Sequence, residues 1–198
     1  MLSSSQRARG AFVVLRTDQV RMPDGQTASR DVLEHPGAVA VVALDESGRV
    51  LLIRQYRHPA GWQLWEIPAG LRDVPGEPPR VTAERELREE AGCTARRWHL
   101  LADYFTSPGI TNERVLVYLA RDVTELAQAE RDYQPEHEEA HLLTAWLPVE
   151  QVVDRLLSGE MHNGVTAVGI LAAYAAQRGG FAALREAEQE EPGGVHEA

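Results

Sequence analysis

The chain of 198 residues has no lysine, a single cysteine, and no apolar run long enough to span a membrane. With Cys93 alone no intrachain disulfide can form, which argues against a secreted disulfide scaffold and for a reduced, intracellular setting. A lone thiol at the apolar end of a helix is read as buried packing rather than as a nucleophile. Residues 1–10 are polar and basic and lack the apolar segment of a signal peptide, so the expected address is cytoplasmic, with no membrane partner. Positive charge is also scarce: 20 basic side chains, all arginine, face 30 acidic ones, for a net charge of −10. That balance argues against nucleic acid as the main partner. It leaves room for a small phosphorylated ligand, because a few arginines and a bound cation can reverse the sign locally.

What is present suits one globular domain with an arm, at 43% hydrophobic residues. Residues 11–22 alternate around Phe12, Val14 and Val20, Pro23-Asp24-Gly25-Gln26 reads as a turn, and 27–34 returns. This predicts an antiparallel β-hairpin arm over 1–36. Ala38-Val39-Ala40-Val41-Val42-Ala43-Leu44 predicts a buried strand. Beyond the turn Asp45-Glu46-Ser47-Gly48, Val50-Leu51-Leu52-Ile53 is expected as its antiparallel neighbour. Residues 62–68 form another extended piece, stopped by Pro68, and further strands are expected at 98–104, 115–120 and 142–147. Helices are expected after Pro79 to about Ala91, where Gly92 suits a C-terminal cap, and over 149–157 and 165–177. Loops fall at 106–113 and, rich in acids, at 122–139. Residues 179–198 form a polar, acidic tail expected to be flexible. The fold class is α+β, a mixed sheet with helices on its faces, in a domain spanning 37–178.

The densest stretch is Arg85-Glu86-Leu87-Arg88-Glu89-Glu90-Ala91-Gly92. At about 100° per residue, Glu86, Glu89 and Glu90 share one helix face while Ala83, Leu87 and Ala91 share another. Three carboxylates on one short face repel each other. A solvated acidic face is one outcome, and a divalent cation that turns repulsion into attraction is the other, favoured by the flanking turn and Gly92.

The run Glu77-x7-Arg85-Glu86-Leu87-x-Glu89-Glu90-x-Gly92-Cys93 closely resembles the Nudix hydrolase signature, G-x5-E-x7-R-E-U-x-E-E-x-G-U with U bulky and apolar. Two positions depart: six residues rather than five separate Gly70 from Glu77, and Cys93 replaces a larger aliphatic. The insertion falls in a loop rich in Pro and Gly, where an extra residue is tolerated. Gln55-Tyr56-Arg57, Trp65-Glu66-Ile67-Pro68-Ala69-Gly70 and Ser107-Pro108-Gly109 resemble the ADP-ribose pyrophosphatase branch, nearest its mycobacterial type. In that branch a proline about fifteen residues beyond the signature marks the substrate, and Pro108 falls fifteen after Cys93. Together these motifs cover roughly residues 38–147.

The resemblance implies an α/β/α Nudix fold and metal-dependent hydrolysis of ADP-ribose to AMP and ribose 5-phosphate by a homodimer. Magnesium is the expected cofactor, with manganese or another divalent cation as the alternative. Glu86 and Glu90 are the first metal ligands, Glu89 bridges or completes the set, and the backbone carbonyl of Ala69 is a further ligand. Arg85 and Glu77 orient these carboxylates, a surface salt bridge being the plain alternative. The general base is carried over to Glu139, with Glu138 in reserve, on the acidic loop before residue 142. Arg57 is the candidate for the diphosphate, since guanidinium pairs bidentately with phosphate oxygens, and Arg54 is second. Ser107, Gly109 and Glu113 are assigned to the ribose side, and Arg30 to the adenine if the arm reaches the site. Two rivals stand beside this reading. One is a Nudix pyrophosphatase for an ADP-sugar or an oxidised nucleotide; the other is a sensor that binds ADP-ribose without hydrolysis.

Overall fold

Residues 38–43 form a strand, β4 (Ala38–Ala43), whose two faces carry two different cores. Val39, Val41 and Ala43 pack with Ala83, Leu87 and Ala91 of the helix α1 (Pro79–Ala91). Ala40 and Val42 pack on the other side with Val149 and Val152 of α2 (Val149–Leu157) and Ile170 and Ala173 of α3 (Gly164–Arg178). Period-two alternation in a strand rich in small and β-branched residues therefore serves both layers at once, and the result is the expected α/β/α sandwich. Leu87, fully buried under this sheet, contributes roughly 1.5–3 kcal/mol by leaving water.

In the computed structural model, which describes residues 1–127 and 142–188, the remaining strands are as follows. They are β1 (Ser3–Arg9), β2 (Val14–Arg21), β3 (Thr27–Glu34), β5 (Arg49–Arg57), β6 (Trp62–Glu66), β7 (Ala69–Leu71), β8 (Cys93–Phe105), β9 (Arg114–Glu125), β10 (Leu143–Pro148) and β11 (Arg185–Glu186). A five-stranded mixed sheet runs β11-β8-β9-β4-β7, with β4 parallel to β9, and a three-stranded antiparallel sheet runs β10-β5-β6. Among the described residues no helix is long and apolar enough to cross a membrane.

One expected pairing is overturned. Residues 50–53 are not the antiparallel neighbour of β4; apart from the single bridge between Leu44 and Val50, the two strands enter different sheets. The turn itself forms, with Gly48 N–H donating to Asp45 O at 3.1 Å. Both strands are buried on both faces, so each can satisfy its ladder elsewhere: β4 with β7 and β9, β5 with β6 and β10. The acidic loop expected from residue 122 also starts later, since β9 continues to Glu125.

The arm gains a strand, because β1 pairs antiparallel with β2 and makes a three-stranded sheet with β3. At the other end of the chain, Arg185 and Glu186 pair with Leu100 and His99 of β8, and Ala187 is buried. Residues 179–188 thus lie against the domain.

Candidate active site

The segment between β6 and β7 is fixed from three directions. Ile67 N–H donates to the buried Thr166 Oγ1 of α3 at 3.1 Å, and Val41 N–H of β4 donates to Pro68 O at 2.8 Å. Ala69 N–H donates to Glu90 Oε2 of α1 at 2.8 Å. The backbone of Ala69 is therefore held in one orientation beside the acidic face of the helix. Glu86 and Glu90, one turn apart, are each only 9% exposed. Glu86 lies over Gly70 so closely that a Cβ there would sit 2.1 Å from Glu86 Cδ and 2.2 Å from Oε1. Glycine at 70 is thus a steric requirement of the carboxylate above it.

Arg85 sits among the acids. Its Nη1 donates to Glu86 Oε1 at 2.7 Å and to Glu89 Oε2 at 3.1 Å, and its Nη2 reaches Glu77 Oε2 at 3.4 Å. Burial disfavours the Arg85 charge, yet attraction to Glu86 and the contacts to Glu77 and Glu89 outweigh it and raise its pKa. The Thr82 hydroxyl, donating at 2.8 Å, and then Arg85 hold the Glu77 carboxyl below its ordinary range. The inserted residue before Glu77 is absorbed in a turn: Glu77 N–H donates to Val74 O at 3.2 Å, and Gly76 takes φ +79°. Glu77 still reaches Arg85 across it. Helix α1 begins at Pro79 and ends at Gly92, whose N–H donates to Arg88 O and Leu87 O in the left-handed conformation expected of a cap.

The basic residues divide by strand parity. Leu51, on one face of β5, packs in the α1 layer, and Gln55 and Arg57 continue that face. Val50 and Leu52 pack in the α2 and α3 layer, and Arg54 continues the opposite face, its guanidinium carbon 6.0 Å from the Trp65 ring. The two arginines are therefore not brought together. Arg57 instead meets Glu66, an acid that the sequence reading left without a role. Nε lies 3.1 Å from both carboxylate oxygens and Nη2 lies 2.6 Å from Oε2. A signal was present: the one charged residue in the mostly apolar piece 62–68, with an arginine across a short hairpin.

Ser107-Pro108-Gly109 opens a turn in which Ile110 N–H and Thr111 N–H both donate to Ser107 O at 3.0 Å. Glu113 accepts from Thr106 Oγ1 at 2.6 Å, and its other oxygen lies 3.8 Å from His35 Nε2. The arm is stitched to this loop: Leu33 N–H donates to Ile110 O and His35 N–H to Asn112 Oδ1, both at 2.8 Å. Ala38 pairs with both Leu71 and Val115, so the 106–113 loop and the turn before α1 emerge at the same end of the sheet. Among the described residues, Arg30 hydrogen-bonds inside the arm, to Ser29 O and Met22 Sδ. Glu138 and Glu139 lie outside the described residues.

Among the described residues no three acidic, imidazole or thiol side chains converge tightly enough to hold a cation as they stand. The donor set nevertheless fits a hard divalent ion. Two buried carboxylates face a backbone stripped of Cβ at Gly70, beside a fixed Ala69 peptide, and Glu89 is tied to the same arginine as Glu86. Carboxylate and carbonyl oxygens are the ligands magnesium-like ions take.

The NUDIX domain model matches residues 34–166. The chain is 46% identical to the ADP-ribose pyrophosphatase of Mycobacterium tuberculosis, over 96% of this chain and 89% of that protein. It is 33% identical to the ADP-ribose pyrophosphatase of Bacillus subtilis, over 85% and 89% respectively. A crystal structure of an ADP compounds hydrolase superposes with a TM-score of 0.74 at 20% identity, covering 90% of this chain and 94% of that one, and shows the shared fold.

Proposed function

Because the chain belongs to the Nudix family, whose members need a divalent metal, we propose that it hydrolyses the diphosphate bond of ADP-ribose to AMP and ribose 5-phosphate. The observation that carries the metal site is the packing of Glu86 and Glu90 against Gly70 and Ala69. Names of the curated relatives support the substrate: two whose lengths the chain largely covers are ADP-ribose pyrophosphatases.

Magnesium is the proposed ion, held by Glu86, Glu90 and the Ala69 carbonyl, with Glu89 completing the set. Such an ion neutralises diphosphate charge and makes water a better nucleophile. The protein's own groups do the rest. Arg85, bonded to Glu77, ties Glu86 and Glu89 to one guanidinium and keeps them spaced. Arg57, on the α1 face of β5, is proposed to bind the diphosphate, and Glu139 to take the proton from the attacking water. Ser107, Gly109 and Glu113 are assigned to the ribose, a role supported by the shared end of the sheet from which their loop and the α1 turn emerge. Arg54 and Arg30 become weaker candidates, one on the opposite face of β5 and the other bonded within the arm. The proposed organisation is an arm over 1–36 that pairs two copies into a homodimer and a hydrolase domain over 37–178, against which residues 179–188 also lie, in the cytoplasm.

Two measurements test these assignments. On a panel of ADP-ribose, an ADP-sugar and an oxidised nucleotide at equal concentration, ADP-ribose is expected to be hydrolysed fastest; a faster rival reassigns the substrate. Glu139→Gln is expected to lower kcat by about 100-fold or more, as loss of a general base does. If Glu139→Gln is silent and Glu138→Gln is not, the base is the neighbouring residue.

A further inference from the structure

Glu66 is 2% exposed, although it carries an ionisable group in a strand between Trp65 and Ile67. A carboxylate so placed persists only with a partner that neutralises it and fills its lone pairs. Arg57 does both, through three contacts of 2.6 to 3.1 Å onto the two oxygens. The register makes this an unusual reach. Ile53, not Arg57, stands opposite Glu66, and Arg57 stands opposite Trp62. The arginine must therefore run back along its own strand, past Gln55, to meet the acid. A long, flexible side chain is thereby held in one extended pose on the face of the sheet that carries α1. Three residues after Glu66 comes Ala69, whose N–H is bound by Glu90. The same short segment thus holds the arginine at one end and a candidate metal carboxylate at the other.

We infer that Glu66 is a positioning residue: it fixes the plane of the Arg57 guanidinium so that a substrate diphosphate meets a preset fork at a set distance from the acids of α1. This deepens the reading of Arg57 given above and rests on it. The carboxylate touches no substrate. Its effect is transmitted through one side chain, and preset geometry of this kind is worth most when the ligand must lie within about 1 Å of its reacting position.

A double-mutant cycle on kcat and KM separates this role from plain support of the fold. Glu66→Gln keeps the shape and removes the charge, and it is expected to lower kcat/KM about 10-fold or more, chiefly through KM. Arg57→Ala is expected to lose at least as much. In the Arg57→Ala background, adding Glu66→Gln should change kcat/KM by no more than about threefold, because the side chain it positions is gone. Glu66→Asp, which keeps the charge one carbon shorter, should give a partial loss that also vanishes in that background. Melting temperatures of all variants control for folding. Equal factors in both backgrounds, a silent Glu66→Gln, or unfolding of both Glu66 variants would overturn the inference. If the wild type releases no AMP from ADP-ribose, the substrate reading fails by itself, and the cycle is read on whichever diphosphate of the panel it does hydrolyse.

Discussion

Glu90→Gln is expected to lower kcat/KM by about 100-fold or more while the protein stays folded, because loss of a metal ligand costs at least what loss of its supporting groups does. Glutamine preserves the shape of the side chain, and its carbonyl oxygen can still accept from Ala69 N–H, the bond that Glu90 Oε2 makes at 2.8 Å. What disappears is a negative charge. Glu86 and Glu90 are one turn apart on the same face, and like charges at that spacing destabilise a helix by roughly 0.2–0.5 kcal/mol per pair. The metal-free variant should therefore melt no lower than the wild type, and its stabilisation by added magnesium should shrink. A charge kept at a cost to the helix and needed for turnover is what a cation site predicts. A rate within about threefold of wild type, as a solvated acidic face would give, contradicts the ligand role.

Gly70→Ala should separate function from folding in a second way. The added Cβ would overlap Glu86, at 2.1 Å from Cδ and 2.6 Å from Cγ. The obstructing atoms belong to the end of a side chain rather than to backbone, so the helix can stay and the carboxylate must turn away. The expected result is a modest change in melting temperature with a fall in kcat/KM of about 100-fold, close to that of Glu86→Gln. Combining the two substitutions should add little, since both remove the same carboxylate from the same place. Kinetics, thermal melts and magnesium titration on the three variants test this. A Gly70→Ala enzyme with near-normal activity would mean that Glu86 works from another position.

Much of this site was legible in the sequence because it is local. Gly70 to Gly92 is one continuous stretch whose helix period, proline start and glycine cap depend on neighbours a few residues away, and α1 ends where expected and starts one residue early, at Pro79 itself. The two faces of β4 follow equally from alternation. Failures came where partners are distant and equivalent. Val50 to Ile53 is as apolar as β4, and turn chemistry at Gly48 cannot say which sheet receives it. The polar strand β1, exposed along its whole length, has no hydrophobic pattern to announce it. The separation of Arg54 from Arg57 was readable from parity alone, since residues three apart on a strand face opposite ways. The Arg57–Glu66 pair was harder, because it depends on a diagonal reach across the hairpin rather than on direct opposition.

The most direct measurement is AMP release from ADP-ribose by the purified protein, with magnesium and with the metal removed by a chelator. AMP and ribose 5-phosphate should appear in equal amounts with magnesium, stop with the chelator, and resume when magnesium is restored. Binding of ADP-ribose with no release of AMP, or release that the chelator leaves unchanged, would contradict a metal-dependent diphosphate hydrolase built on Glu86 and Glu90.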